Sequence, residues 1–245
     1  MSLDDTISTH SEGHDHGHHE APEVVDSRER FGVWLFIAGD MVTLGAIWFT
    51  YLYMRGTNTD GHWMSMLGYQ GHSYAWYENA LNSSAGLPAA TTIHVGPMSA
   101  GLIWLVALVV AVSAGIIWWA EKLLRESKNA KAFSNIALLG TVVVLLAVIL
   151  SIVQLRHIPS IFVANNDSQV MAYTGYSSAM MMIIGVSMVH FIILAFLGLG
   201  LAIRSARGAI TGEKWFQARL VRIFWVWVAI STLVTTLLTV MVNKL

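Results

Sequence analysis

The sequence predicts an all-α fold: a polytopic membrane helix bundle with five transmembrane helices and a cytoplasmic N-terminus. Three observations carry that reading. Charged residues make up 12% of the chain and hydrophobic ones 55%, where a soluble domain carries about 25% charged residues. Five apolar segments, about 31–54, 96–119, 133–155, 178–203 and 221–242, stand between polar connections. Each reaches the roughly 20 residues that cross a hydrocarbon layer of about 30 Å. Finally, eleven of the 14 lysines and arginines fall on one side once these segments alternate across the membrane, and the positive-inside rule makes that side cytoplasmic.

The elements follow in order. Residues 1–30 are polar, acidic and rich in histidine. They have too few apolar residues to bury and are expected to form a disordered cytoplasmic tail. No apolar h-region precedes the first span, so no cleavable signal peptide is expected and that span acts as its own insertion signal. Arg28 and Arg30 precede span one. Lys122, Arg125, Lys128 and Lys131 separate spans two and three, and Arg204, Arg207, Lys214, Arg219 and Arg222 separate four and five. Only Arg55, Arg156 and Lys244 fall on the other side. The transmembrane domain covers 31–245 and includes a long outer loop, 55–95, with His62, Trp63, Tyr69, His72, Tyr74, Trp76 and Tyr77. That loop reads as an interfacial aromatic belt or as a docking surface for another subunit. Small residues within the spans (Gly39, Gly45, Ser113, Ala114, Gly115, Gly198, Gly200) permit close helix contact. A net charge of −1 without a basic stripe points away from nucleic acid, and the lack of cysteine excludes disulfides and thiolate chemistry.

Asp40 is the residue that asks for a function. It is the one charge between Phe31 and Met54, and a carboxylate at such depth costs on the order of 2.5–3.5 kcal/mol on insertion scales. It must face protein or water, or stay protonated. A redox metal centre in the membrane needs several inward ligands at helical spacing, and of ten histidines only His190 lies well inside a span. A haem site within this chain alone is therefore not expected. His14, His16, His18 and His19 of the tail are weak metal-ligand candidates; a flexible tract gives no fixed geometry. Met180, Met181 and Met182 are consecutive, so on a helix they point in different directions and read as adaptable packing. Asp40 and His190 form the pair of interest. Two roles stay open for the aspartate: an interhelical hydrogen bond, or a proton-exchanging carboxyl. No catalytic triad, P-loop or paired acid–base carboxylates accompany them.

At these residues the chain resembles subunit III of the haem-copper respiratory oxidases. Phe31-Gly-Val-Trp-Leu-Phe-Ile-Ala-Gly-Asp40, followed by Gly45 and Tyr51, is similar to the family's signature helix, in which an aromatic-Gly-x-Trp opening leads to an acidic residue. Most members have Glu there, and some quinol-oxidising members have Asp. Pro97, Ser113 and Trp119-Ala120 resemble its next helix. Gln154-Leu-Arg-His157 stands where the family has Gln-x-x-Glu, with the acid replaced. Gly185-Val-Ser-Met-Val-His190 resembles Gly-x-His-x-x-His, with Ser187 in place of the first histidine. The last span, with Trp225 and Trp227, is similar to the aromatic C-terminal helix but lacks its usual polar residues. Five spans match the shorter bacterial form.

The resemblance implies a non-catalytic accessory subunit of a terminal oxidase that reduces oxygen to water, in the bacterial inner membrane. Such a chain carries no cofactor of its own. Haem and copper sit in its partners: subunit I, the main contact, and subunit II. It holds phospholipid and supports proton uptake and stable turnover, with Asp40, His190 and Ser187 as the intramembrane positions of interest. Cytochrome c and quinol both remain open as the electron donor. A subunit-III-like protein of nitric oxide reductases is the nearest alternative. A copper monooxygenase subunit would need an Asp-x-x-x-His start, but Leu44 follows Asp40 at that spacing and Met171 follows Asp167. A metal transporter would need more polar or discontinuous spans.

Overall fold

The computed structural model describes residues 22–56, 92–94, 100–156, 160–165, 168–172, 175–212 and 214–241. It contains α1 (Pro22–Gly56), α2 (Ala100–Ser127), α3 (Ala130–Arg156), α4 (Gly175–Ala206) and α5 (Phe216–Met241). All five are long and apolar enough to cross a membrane, which makes this a multi-pass membrane protein. One boundary differs from expectation. Residues 22–30, assigned above to the tail, form the first turns of α1, which opens at Pro22 because proline's missing N–H costs nothing at the first helical position. Residues 1–21, with every tail histidine, and most of the 55–95 loop lie outside the described residues.

The connections were expected as loops, but three short strands stand among them: β1 (Thr92–His94), β2 (Ser160–Asn165) and β3 (Ser168–Ala172). They pair antiparallel in the order β1-β2-β3, with Ile93 opposite Ile161 and Val163 opposite Val170. The β-branched and aromatic run Ile161-Phe162-Val163 explains the preference.

Helices α2 and α3 form a tight antiparallel hairpin. Lys128 takes a left-handed conformation (φ 53°) and its N–H reaches back to Leu124 O at 3.1 Å, ending α2. Asn129 Oδ1 then accepts from the Ala132 N–H at 3.0 Å, capping α3. Helix α4 closes with a Schellman motif: Gly208 is left-handed (φ 74°), Ala209 N–H donates to Arg204 O at 2.9 Å and Gly208 N–H to Ser205 O at 3.0 Å. The two turns touch at Gly212, where a β-carbon would lie 2.9 Å from Lys128 Cα. Ser134 and Ser205 stitch the same end, donating to Ala202 O and Ala130 O. Arg30 lies over the Phe216 ring at 5.6 Å, so the basic ends of all five helices gather together, as the charge distribution predicts.

The main core lies between α2, α3, α4 and α5. Trp225 is fully buried, and its indole N–H donates to Ser113 Oγ at 2.9 Å. Its ring lies against Gly198, where a β-carbon would meet it at 2.8 Å and also run into Thr141 Oγ1. Gly198 thus does what a small residue is expected to do in a membrane bundle. Gly39 and Gly45 do not: nothing lies within 4 Å of either missing β-carbon. Helix α1 is the peripheral element. Its most apolar stretch is 17% buried, against 44% for α5, and it packs on α4 and α5.

Gly198→Val is expected to overpack the Trp225 contact, at about 1–3 kcal/mol. Thermal unfolding in detergent should show a lower melting temperature for this variant, whereas Gly39→Val should melt like the parent chain.

Candidate functional site

The stripe that α1 turns inward is Ile37, Leu44, Ile47 and Tyr51, all buried. Asp40 occupies the gap in that series, at the alternating spacing of three and four that keeps residues on one helix face. The sequence therefore aims its only mid-span charge into the bundle. Opposite it, α4 presents His190 and α5 presents Trp227. His190 Nε2 lies 2.8 Å from Asp40 Oδ1, and the Trp227 indole N–H donates to Oδ2 at 2.6 Å. Each carboxyl oxygen thus has a partner on a different helix. The Asp40 and His190 side chains are both 11% exposed. Phe224 covers the imidazole (ring centroids 6.5 Å apart) and meets Phe36 edge-on at 5.4 Å.

The hydrogen-bond pattern determines how many protons the pair holds. His190 Nδ1 lies 2.8 Å from Val186 O. A carbonyl oxygen can only accept, so Nδ1 carries a hydrogen. One further proton must then sit between Nε2 and Oδ1. If it is on oxygen, a neutral acid faces a neutral imidazole; if it is on nitrogen, a carboxylate faces an imidazolium. Both arrangements have zero net charge, which avoids leaving a bare carboxylate at this depth.

The pairing of Asp40 with His190 was legible from their position as the deep ionisable groups of two spans. Ser187, the third intramembrane position of interest, lies apart from the pair: its hydroxyl donates to Ile183 O at 2.9 Å and it lines a separate cavity. His14, His16, His18 and His19 lie outside the described residues. Trp227 was missed as a partner because an indole in a span reads as lipid contact. A second missed pair ties α2 to α5. Glu121, 4% exposed at its side chain, lies 3.1 Å from Arg222 Nε, although that N–H has no hydrogen-bond partner. The two are held by charge without directional alignment. Glu121 read as the edge of a polar connection, but α2 continues past it to Ser127. Among the described residues, no group of three or more metal-ligating side chains converges.

Comparison with models of known protein families and with curated proteins gives no match for this chain.

Asp40→Asn should preserve the site, because the amide N–H can donate to Nε2 while its carbonyl accepts from Trp227. Asp40→Leu leaves Nε2 and the indole N–H without partners, at about 1–3 kcal/mol for each. Melting temperatures in detergent should therefore fall in the order parent, Asn variant close behind, Leu variant well below.

Proposed function

We propose that this chain is the non-catalytic subunit III of a haem-copper terminal oxidase in a bacterial inner membrane. The observation that carries the reading is the 2.8 Å contact between Asp40 and His190. These are the two ionisable positions that the first-span and fourth-span motifs single out, and they lie 150 residues apart in the chain. Their meeting supports the likeness, although a buried carboxyl would seek a partner in any membrane bundle.

Two further features support an accessory role. On the side of α1 away from the bundle, Leu35, Val42 and Phe49 are 62%, 74% and 67% exposed. Gly39 and Ala46 alternate with them at three- and four-residue spacing, the seam geometry that lets a second helix approach closely. Asp40, pointing the opposite way, sets the rotation of α1 so that this seam faces out toward subunit I. Apolar grooves flank α1 on both sides. One of about 410 Å³ is lined by Trp34, Trp118 and Ile230 with Arg222 among its walls; the other, of about 420 Å³, runs past Val33, Phe36 and Leu197 with Glu29 among its walls. Their lining suits acyl chains, and Arg222 suits a lipid phosphate. In this account the chain brings lipid and a proton-holding pair to the flank of the catalytic subunit. Oxygen reduction itself takes place on haem and copper held by subunits I and II.

Gentle extraction of the tagged chain from its native membrane should co-elute haem, seen in a reduced-minus-oxidised spectrum, together with oxygen uptake. A haem-free eluate without oxygen uptake would contradict the assignment. Within the isolated complex, Asp40→Asn is expected to leave assembly intact but to hasten loss of activity during turnover. Unchanged turnover and inactivation would refute a proton role for Asp40.

A further inference from the structure

Away from the Asp40 pair, α2, α3, α4 and α5 line a half-open cavity of about 30 Å³. Polar side chains stand among its apolar walls. Ser151, Ser187, Thr232, Thr235 and Thr239 all line it. Each donates its hydroxyl proton to a carbonyl of its own helix, at 2.7–2.9 Å. What they offer the cavity is therefore oxygen lone pairs. Trp48 of α1 already uses Thr235, donating its indole N–H to Oγ1 at 3.0 Å.

Two wall residues are unsatisfied. Gln154 is 5% exposed and Thr236 is 2% exposed. Both line the cavity, and among the described residues no hydrogen bond is found to either side chain; their polar atoms open onto the cavity and are not among the fully buried unpartnered ones. A buried amide left this way costs free energy unless something fills the space between. The occupant must donate to several hydroxyl oxygens and also accept from the Gln154 amide and the Thr236 hydroxyl. Water does both. An anion would find no Lys or Arg in the walls to offset its charge, and a cation no carboxylate. At roughly 10–15 Å³ for each water, the volume accommodates about two, each with the two to four polar partners that buried waters use.

We propose that this cavity is a built hydration site holding about two waters, with Gln154 and Thr236 as its principal ligands. It lies toward the helix ends opposite the basic ones, beside the apolar cluster of Ile47, Ile103 and Val240. Ser187 places it one helical turn from His190 on α4. The site does not depend on the oxidase reading, since its ligands are all within this chain.

Met180 reports on it directly, being 1% exposed and part of the cavity wall. Met41 is 50% exposed, on the lipid-facing side of α1 near mid-span. Radiolytic footprinting of the full chain in lipid nanodiscs generates hydroxyl radicals from bound water, and mass spectrometry reads oxidation at each methionine. Met180 is expected to oxidise several-fold faster than Met41, and in Gln154→Leu/Thr236→Val its rate should fall to that of Met41. Oxidation of Met180 no faster than Met41 in the parent chain would overturn the proposal. So would a Met180 rate unchanged by the double substitution. Should the variant fail to accumulate, the comparison within the parent chain decides.

Discussion

A carboxyl group in the middle of a lipid-spanning helix leaves little freedom: both oxygens need partners, and its charge must be offset or removed. Asp40 meets the first demand with His190 on one oxygen and Trp227 on the other, and the second by sharing a proton with the imidazole. Helix α1 is otherwise held by a narrow buried stripe and the Trp48 bond to Thr235, since most of its apolar surface faces outward. Lipid tails are as apolar as its side chains, so burial alone would not fix its rotation. The polar contact does. It selects which stripe of α1 faces the bundle, and so which stripe, Leu35 through Phe49, is offered to the outside.

The other four helices are held differently. Their core is a close-packed apolar cluster centred on Trp225, anchored by its bond to Ser113 and by the absence of a side chain at Gly198. Capped turns fix the basic ends, with Lys128 and Gly208 in left-handed conformations and Gly212 letting one turn sit on the other. The Glu121–Arg222 pair joins α2 to α5 just inside that end. Tight packing on one side of α5 and polar contacts to α1 on the other make this helix the link between the rigid core and the peripheral one.

Much of this was legible in the sequence. Spanning length and charge asymmetry gave five helices and gathered their basic ends, because those properties answer to the bilayer and not to tertiary detail. The Asp40–His190 pair was legible because an intramembrane charge needs a partner and the chain offers few. Trp227 was not, since nothing in its type or spacing separates an indole that donates inward from one that meets lipid. Glu121 was hidden by its place before a basic run, which reads as a helix end until Ala120 and Leu124 are seen to be fully buried. The last span lacks the polar residues usual in the family it resembles, but Thr232, Thr235, Thr236 and Thr239 recur there at helical spacing and line one cavity. Their hydroxyls bond to their own helix, so threonine in a span gives little sign of function until the cavity beside it is known. Ser187, singled out because it stands where the resembling family has a first histidine, faces that cavity, a helical turn from the pair.

The proton arrangement at Asp40 is the claim on which the rest turns, and nitrogen-15 NMR of histidine-labelled chain in lipid bilayers tests it most directly, with His190 assigned from its loss in His190→Gln. The account predicts a hydrogen on Nδ1 at neutral pH and a strong hydrogen bond at Nε2. An unprotonated Nδ1 with an ordinary N–H at Nε2 would contradict it, because Asp40 would then face the imidazole as a bare carboxylate.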